Sequence, residues 1–236
     1  MGNSHFRFKQ FTIRQDRCAM KVTTDACLFG AWINSKGMTA ERMLDIGAGT
    51  GLLSMMIAQG TNVKIDAVEI EEGCFEQLCS NINESIFASS ISPLKADIRL
   101  FETEKKYDLI VSNPPFYEKQ LKSEQSEINL ARHSDQLTLI ELFVQVKKWI
   151  SENGRFYLLM PHFRKMECIE LASSQGLFPT AIALAKQSIL HEPFRVMFEF
   201  STFGKATETE EIVIKKNASV YTDAFILLLK DYYLKL

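Results

Sequence analysis

The sequence predicts an α/β fold: a mainly parallel sheet, helices on both of its faces, and an antiparallel hairpin at one edge. Three observations predict it. From Arg42 onward, short apolar and β-branched runs alternate with helical stretches. The first run ends in a glycine-rich turn that opens a helix. Two late runs follow one another with no long helix between them, as the arms of a hairpin do.

Taken in order, residues 1–37 read as an N-terminal extension and 38–236 as the main domain. His5 to Ile13 carries apolar residues at Phe6, Phe8, Phe11 and Ile13, which predicts an extended strand with a kink. Thr24 or Asp25 is the expected N-cap of a helix through Trp32. Met43 to Ile46 is a strand, Leu52 to Gln59 a helix, Lys64 to Glu69 a strand and Glu71 to Ser85 a helix. Ile91 to Ala96 and Tyr107 to Ser112 are strands. Leu137 to Ile150 is a helix with an apolar stripe, Arg155 to Met160 a strand, and Phe163 to Ser174 a helix. Leu177 to Ala185 and Phe194 to Phe203 form the hairpin, Glu211 to Ile214 is a candidate edge strand, and Tyr221 to Tyr233 closes the chain as a helix. Trp32 and Trp149 fall on apolar helix faces and are expected in the core.

The chain has 236 residues, 46% of them hydrophobic and 24% charged, which suits one globular domain with a small appendage and excludes a disordered chain. No apolar stretch is long enough to span a bilayer, and the first residues lack a signal-peptide core; a cytoplasmic monomer without membrane contact is expected. Five cysteines with no C-x-x-C pair read as reduced thiols, not as a disulfide frame or a metal site. The net charge of −2 does not announce a nucleic-acid binder. Its distribution is more informative: Met1 to Lys21 holds five basic residues (Arg7, Lys9, Arg14, Arg17, Lys21) against Asp16 alone. This segment reads foremost as a solvated edge whose phenylalanines pack inward, and its arginines and Lys9 are candidate phosphate contacts.

Two motifs carry the chemistry. In Leu44 to Leu52, Gly47, Gly49 and Gly51 sit where a strand turns into a helix, so the backbone turns tightly and the helix N–H groups face a ligand. Glu69 follows 22 residues after Gly47, at the end of the next strand, where a carboxylate accepts hydrogen bonds from a ribose diol. A dinucleotide fingerprint would need glycine where Leu52 stands. Asp45, just before the loop, suits a cofactor with a cationic amino-acid tail better than a pyrophosphate. Asp97, with Ile98 beside it, follows the third strand and is a candidate acceptor for the cofactor's adenine amino group.

The second motif is Asn113-Pro114-Pro115-Phe116, directly after the strand Tyr107 to Ser112. Two prolines stiffen the turn and remove two donors. It therefore presents acceptors, the Asn113 side-chain oxygen and the Pro114 carbonyl, followed by an aromatic face. That set matches an exocyclic amino group on a planar base, which offers two donors and a face for stacking.

These residues resemble the class I, Rossmann-like methyltransferases that modify amino nitrogens. Phe8-Lys9-Gln10-Phe11, Asp16 to Val22, Thr24-Asp25-Ala26, Leu28 to Trp32, Asp66 to Glu69 and Tyr221 to Ala224 resemble in particular the bacterial tRNA(Val) (adenine-37-N(6))-methyltransferases. The resemblance implies a seven-stranded sheet, S-adenosylmethionine as cofactor with S-adenosylhomocysteine as product, no metal, and the anticodon loop of tRNA(Val) as partner. It implies that Gly47, Gly49, Glu69 and Asp97 hold the cofactor, with Lys21, Thr24 and Asp25 lining its pocket. It further implies that Asn113 to Phe116 hold the adenine. Phe116 is a departure, because many relatives carry tyrosine there; stacking survives the change and a hydroxyl contact does not.

The polar stretch Tyr117 to Asp135 reads as a lid or substrate-contact loop, with Arg132 a candidate phosphate contact. Arg164-Lys165 and Lys215-Lys216 read as surface charges. The competing functions are a protein-glutamine methyltransferase acting on a release factor, a ribosomal-RNA guanine-N(2) methyltransferase, and a non-catalytic cofactor-binding module. A dehydrogenase is disfavoured by Leu52 and by the N-P-P-F turn.

Overall fold

A computed structural model describes residues 3–37, 39–115 and 137–236. The chain opens with β1 (His5–Arg7) and β2 (Thr12–Arg14), then α1 (Thr24–Ser35). β3 (Arg42–Ile46), α2 (Leu52–Gly60), β4 (Lys64–Glu69), α3 (Glu72–Asn83), β5 (Ile91–Lys95) and β6 (Tyr107–Ser112) follow. After the undescribed segment come α4 (Leu139–Trp149), β7 (Ile150–Pro161), a short 3-10 turn (His162–Arg164) and α5 (Lys165–Ser174). β8 (Phe178–Ser188), β9 (Pro193–Ser201), β10 (Glu208–Lys215) and α6 (Asp223–Leu229) complete it.

Among the described residues the main sheet has eight strands, in the order β10-β8-β9-β7-β6-β3-β4-β5. Every neighbouring pair is parallel except those made by β9, which runs antiparallel to both β7 and β8. The expected hairpin is therefore β8–β9. The sheet has one strand more than the seven expected, because the candidate edge run 211–214 does pair, outside the hairpin and parallel to β8. Pro93 falls within β5, the strand at the opposite edge, where a missing N–H costs no ladder bond on the open side.

The strands are apolar on both faces because helices cover both. Alternate residues serve opposite layers. Tyr157 and Leu159 of β7 pack with α1, α2, α3 and α6, while Phe156, Leu158 and Met160 pack with α4 and α5. Trp32 and Trp149 are both buried, as expected. Thr138 and Glu141 form a reciprocal capping box, which starts α4 at Leu139 rather than Leu137.

The N-terminal segment is a hairpin, not a kinked strand: Phe6 pairs with Ile13, and the Phe8 N–H donates to the Phe11 carbonyl at 2.8 Å. Phe8, Phe11 and Ile13 enter the same core as α1 and α2. The helix expected through Tyr233 stops at Leu229, because the last residues pair with this hairpin: Phe8 bridges to Tyr233, and the Lys9 N–H donates to the Tyr232 carbonyl at 2.8 Å. Thr23, not Thr24 or Asp25, is the N-cap of α1; its extended backbone ends the preceding loop without a side-chain capping bond. Residues 14–18 lie along α3, and there Cys18 and Cys74 are joined in a disulfide with their Cα atoms 4.7 Å apart. That corrects the expectation of five separate thiols; a separation of 56 residues hides the pairing from any local motif. Cys27, Cys79 and Cys168 are free. Among the described residues no helix is long and apolar enough to cross a membrane.

Asn81 of α3 fastens this segment to the glycine turn. Its Nδ2 donates to the Arg14 and Thr50 carbonyls, both at 2.9 Å, and its Oδ1 accepts from the Arg14 N–H at 3.0 Å. Asn81 is buried, so Asn81→Ala strands three polar backbone groups. Urea denaturation is expected to show a loss of about 2–4 kcal/mol.

Candidate functional site at the carboxyl ends of the central strands

The turn between β3 and α2 holds Gly47, Gly49 and Gly51 at φ of 73°, 57° and 84°, all left-handed. A Cβ on Gly47 or Gly49 would meet nothing within 4 Å, so open space lies over both. A Cβ on Gly51 would come 2.8 Å from Leu78, which marks that glycine as a packing position against α3. The loop is pinned to the end of β4: the Gly47 and Ala48 N–H groups both donate to the Val68 carbonyl at 3.0 Å.

Glu69 is buried and already much engaged. Its Oε2 accepts from the Gly49 N–H at 2.8 Å, and its Oε1 from the Ile70 and Glu71 N–H groups at 2.9 Å each. A carboxylate has about four acceptor positions, so one remains, on Oε2. Glu71 then caps α3 by accepting from the Gly73 and Cys74 N–H groups.

Asp45 is buried at the end of β3. Its Oδ2 accepts from the Ser54 hydroxyl at 2.6 Å, while its Oδ1 is buried with no partner among the described residues. Burial pushes its pKa up from an ordinary 3.8 to about 7; the Ser54 hydrogen bond opposes this and the nearby Glu69 charge adds to it. A folded-state pKa above the unfolded one contributes stability that is whole below about pH 4 and is lost as pH rises through about 7. An ammonium group meeting Oδ1 favours the ionised form. Ligand affinity is therefore expected to rise between pH 6 and 8, with release of about one proton per site at the lower end. Calorimetric titrations in buffers of different ionisation enthalpy check this, and Asp45→Asn is expected to release none.

Asn113 follows β6, whose last residue pairs with the end of β3: Ile46 stands opposite Ser112, and the Ser112 hydroxyl donates to the Ile46 carbonyl at 2.9 Å. That bond sets Asn113 beside the glycine turn. Its Oδ1 is buried without a donor among the described residues, and its Nδ2 lies 4.0 Å from the Met20 sulfur. Pro114 is half-buried and Pro115 exposed. Phe116 and Arg132, with the expected lid 117–135, lie outside the described residues.

Asp97 is held by Arg99, whose guanidinium and backbone N–H both donate to it; the Arg99 hydrogen bonds keep its carboxyl below the ordinary range. An adenine amino group at Asp97 would therefore compete with Arg99. Ile98 is buried beside it. The Lys21 ammonium donates to the Gln15 carbonyl. Thr24 and Asp25 line a cleft of about 300 Å³ with Gln187, Phe194, Ile214, Lys215 and Tyr221, and Asp25 is ion-paired to Arg195 at 2.7 Å. Arg7 and Lys9 are exposed on the hairpin. Arg14 and Arg17 are ion-paired to Glu84, the C-cap of α3, and to Glu76 within it, in well-exposed pairs, which add little stability and exchange readily. A second cleft, of about 810 Å³, includes Glu41, Ala58, Gly60 and Asp108; it opens where β3 and β6 begin, at the other end of the sheet from the glycine turn.

Sequence reasoning missed Ser54, Asn81 and Arg99. Arg99 had a local signal, two residues after Asp97; Asn81 showed only as a polar residue between apolar Leu78 and Ile82.

The arrangement fits a nucleoside cofactor with a charged amino-acid tail. It offers open space over two glycines, an unpartnered buried carboxylate oxygen on Asp45 and one free acceptor position on Glu69. The methyltransferase small domain family model matches residues 27–187. A tRNA1(Val) (adenine(37)-N6)-methyltransferase of Christiangramia forsetii is 38% identical, with 100% of both chains covered. One of Dyadobacter fermentans is also 38% identical, over 99% of this chain and 98% of its own. Among solved structures, a predicted O-methyltransferase of Agrobacterium tumefaciens superposes with a TM-score of 0.62 at 16% identity, covering 88% of this chain and 96% of that one, a likeness of fold. On the family model and these full-length relatives together, the chain belongs to the family of the tRNA1(Val) (adenine(37)-N6)-methyltransferases.

Proposed function

We propose that the chain transfers a methyl group from S-adenosylmethionine to the N(6) amino group of adenosine 37 in tRNA(Val), working as a cytoplasmic monomer. The observation that carries this reading is the buried Asn113 Oδ1, unpartnered among the described residues, at the end of β6 beside the glycine turn. When bound, the cofactor supplies an electrophilic methyl group on a positively charged sulfur. Gly47, Gly49 and Gly51 shape its loop, Asp45 Oδ1 meets its ammonium group, and Glu69 Oε2 accepts from its ribose. Asp97 and Ile98 border its adenine, and Lys21, Thr24 and Asp25 border the pocket.

An adenine amino group is a poor nucleophile because its lone pair is delocalised into the ring. Asn113 Oδ1 and the Pro114 carbonyl accept its two hydrogens and favour the pyramidal nitrogen. Positive charge grows on that nitrogen during transfer, so preset acceptors help most in the transition state. Pro115 stiffens the turn, and Phe116 stacks on the base. Asn113 is not a base; S-adenosylhomocysteine is left, and the proton on the methylated nitrogen passes to water after transfer. The adenine must be unstacked to reach this turn. Arg7, Lys9, Arg14, Arg17 and Arg132 meet RNA phosphates, with residues 1–37 as an RNA-facing extension.

The test is transfer from labelled S-adenosylmethionine to total tRNA, followed by digestion to nucleosides. Label in N(6)-methyladenosine is expected. Label in N(2)-methylguanosine, or transfer to protein that resists RNase, would overturn the substrate assignment.

A further inference from the structure

The order of strands divides the rim on which Asn113 stands. The glycine turn, Asp45, Glu69 and Asp97 lie at the ends of β3, β4 and β5, to one side of β6. On the other side lie β7, β9 and β8; at this end the β8–β9 connection borders the cleft that Thr24 and Asp25 line, while the turn after β7 has no part in the site so far. β7 runs parallel to β6, with Ser112 opposite Leu158, and continues to Pro161 before turning through His162-Phe163-Arg164 into α5. Pro161 stands opposite Arg195 of β9, and the β8–β9 connection emerges at the same end.

Phe163 is 74% exposed. It lies in a 3-10 turn held by the Lys165 N–H donating to the His162 carbonyl and by Arg164 gripping Glu167 through two hydrogen bonds at 2.8 and 2.7 Å. An aromatic ring turned to solvent on a hydrogen-bonded turn is a stacking platform. Lys165, next but one, makes no ion pair among the described residues. A cation and an exposed ring on one turn complement a single-stranded nucleotide, which presents a phosphate and a base face.

We propose that the turn His162–Lys165 receives a nucleotide adjoining the methylated adenosine, Phe163 stacking on its base and Lys165 meeting its phosphate. The inference rests on the RNA reading above and adds the direction in which the strand runs: away from the glycine turn and over β7.

The test is steady-state methyl transfer to tRNA by the full chain, with Phe163→Ala, Phe163→Trp and Lys165→Ala beside the wild type. Phe163→Ala is expected to raise KM for tRNA about ten- to hundredfold, with kcat and cofactor affinity unchanged, and Phe163→Trp to restore it. Lys165→Ala is expected to lower the slope of log affinity against log salt by about 0.7. A wild type active on tRNA with a Phe163→Ala variant of equal KM would overturn this inference and leave the function standing. A wild type inactive on every tRNA would overturn both.

Discussion

Replacing Asn113 with alanine is expected to lower the rate of methyl transfer at saturating substrates about 10²–10³-fold, the usual cost of losing one preset acceptor or donor at a developing charge. The variant should still fold. Among the described residues Asn113 Oδ1 has no partner and its Nδ2 lies 4.0 Å from the Met20 sulfur, so truncation strands no described neighbour. Cofactor affinity should change by less than about tenfold, one hydrogen bond's worth. Single-turnover rates and equilibrium cofactor binding, measured on the same preparations, separate the two effects. A loss confined to cofactor binding, with the rate of transfer intact, would place Asn113 outside the adenine subsite.

Replacing Glu69 with alanine is expected to act in the opposite way, through the cofactor. The carboxylate joins the glycine turn to the start of α3 by accepting from Gly49, Ile70 and Glu71. Its removal leaves three donors without a partner and one ribose contact unmade. Hydrogen bonds to a charged group are worth about 1.5–3 kcal/mol each, so losing the ribose contact should lower cofactor affinity about 10–150-fold and losing three backbone bonds should lower stability by about 4–9 kcal/mol. Glu69→Gln keeps the volume but turns an amide NH₂ toward N–H donors, and should rescue little. Titration calorimetry and urea denaturation measure both quantities. A folded Glu69→Ala protein that binds the cofactor at wild-type affinity would remove Glu69 from the site.

The contrast between these residues and Asn81 shows what the sequence made legible. Gly47 to Gly51, Glu69 and Asn113 announce themselves because each sits at the end of a β-strand, where local spacing and residue type already specify the geometry. The alternation of strands and helices was legible for the same reason: strands buried on both faces read as continuous apolar runs. Asn81, Ser54 and the Cys18–Cys74 pair act across the fold, on partners 67, 9 and 56 residues away. Their partners follow from how the N-terminal segment lies on α3 and how α2 leaves the glycine turn, which no periodicity encodes. Element ends failed where a tertiary partner decided them. The final helix ends at Leu229 because Tyr232 and Tyr233 are taken by the N-terminal hairpin. Glu69 was placed correctly in the chain, yet its engagement by three backbone donors appeared only with the fold, and it narrows the ribose contact from two acceptor positions to one.

The most direct test of the central claim, that Asn113 and its turn present acceptors to the amino group of adenosine 37, is methyl transfer from labelled S-adenosylmethionine to two tRNA(Val) transcripts, one with adenosine and one with guanosine at position 37. Transfer to the first alone, recovered as N(6)-methyladenosine and lost with Asn113→Ala, is the predicted result. Equal transfer to both transcripts, or transfer undiminished in Asn113→Ala, would contradict it.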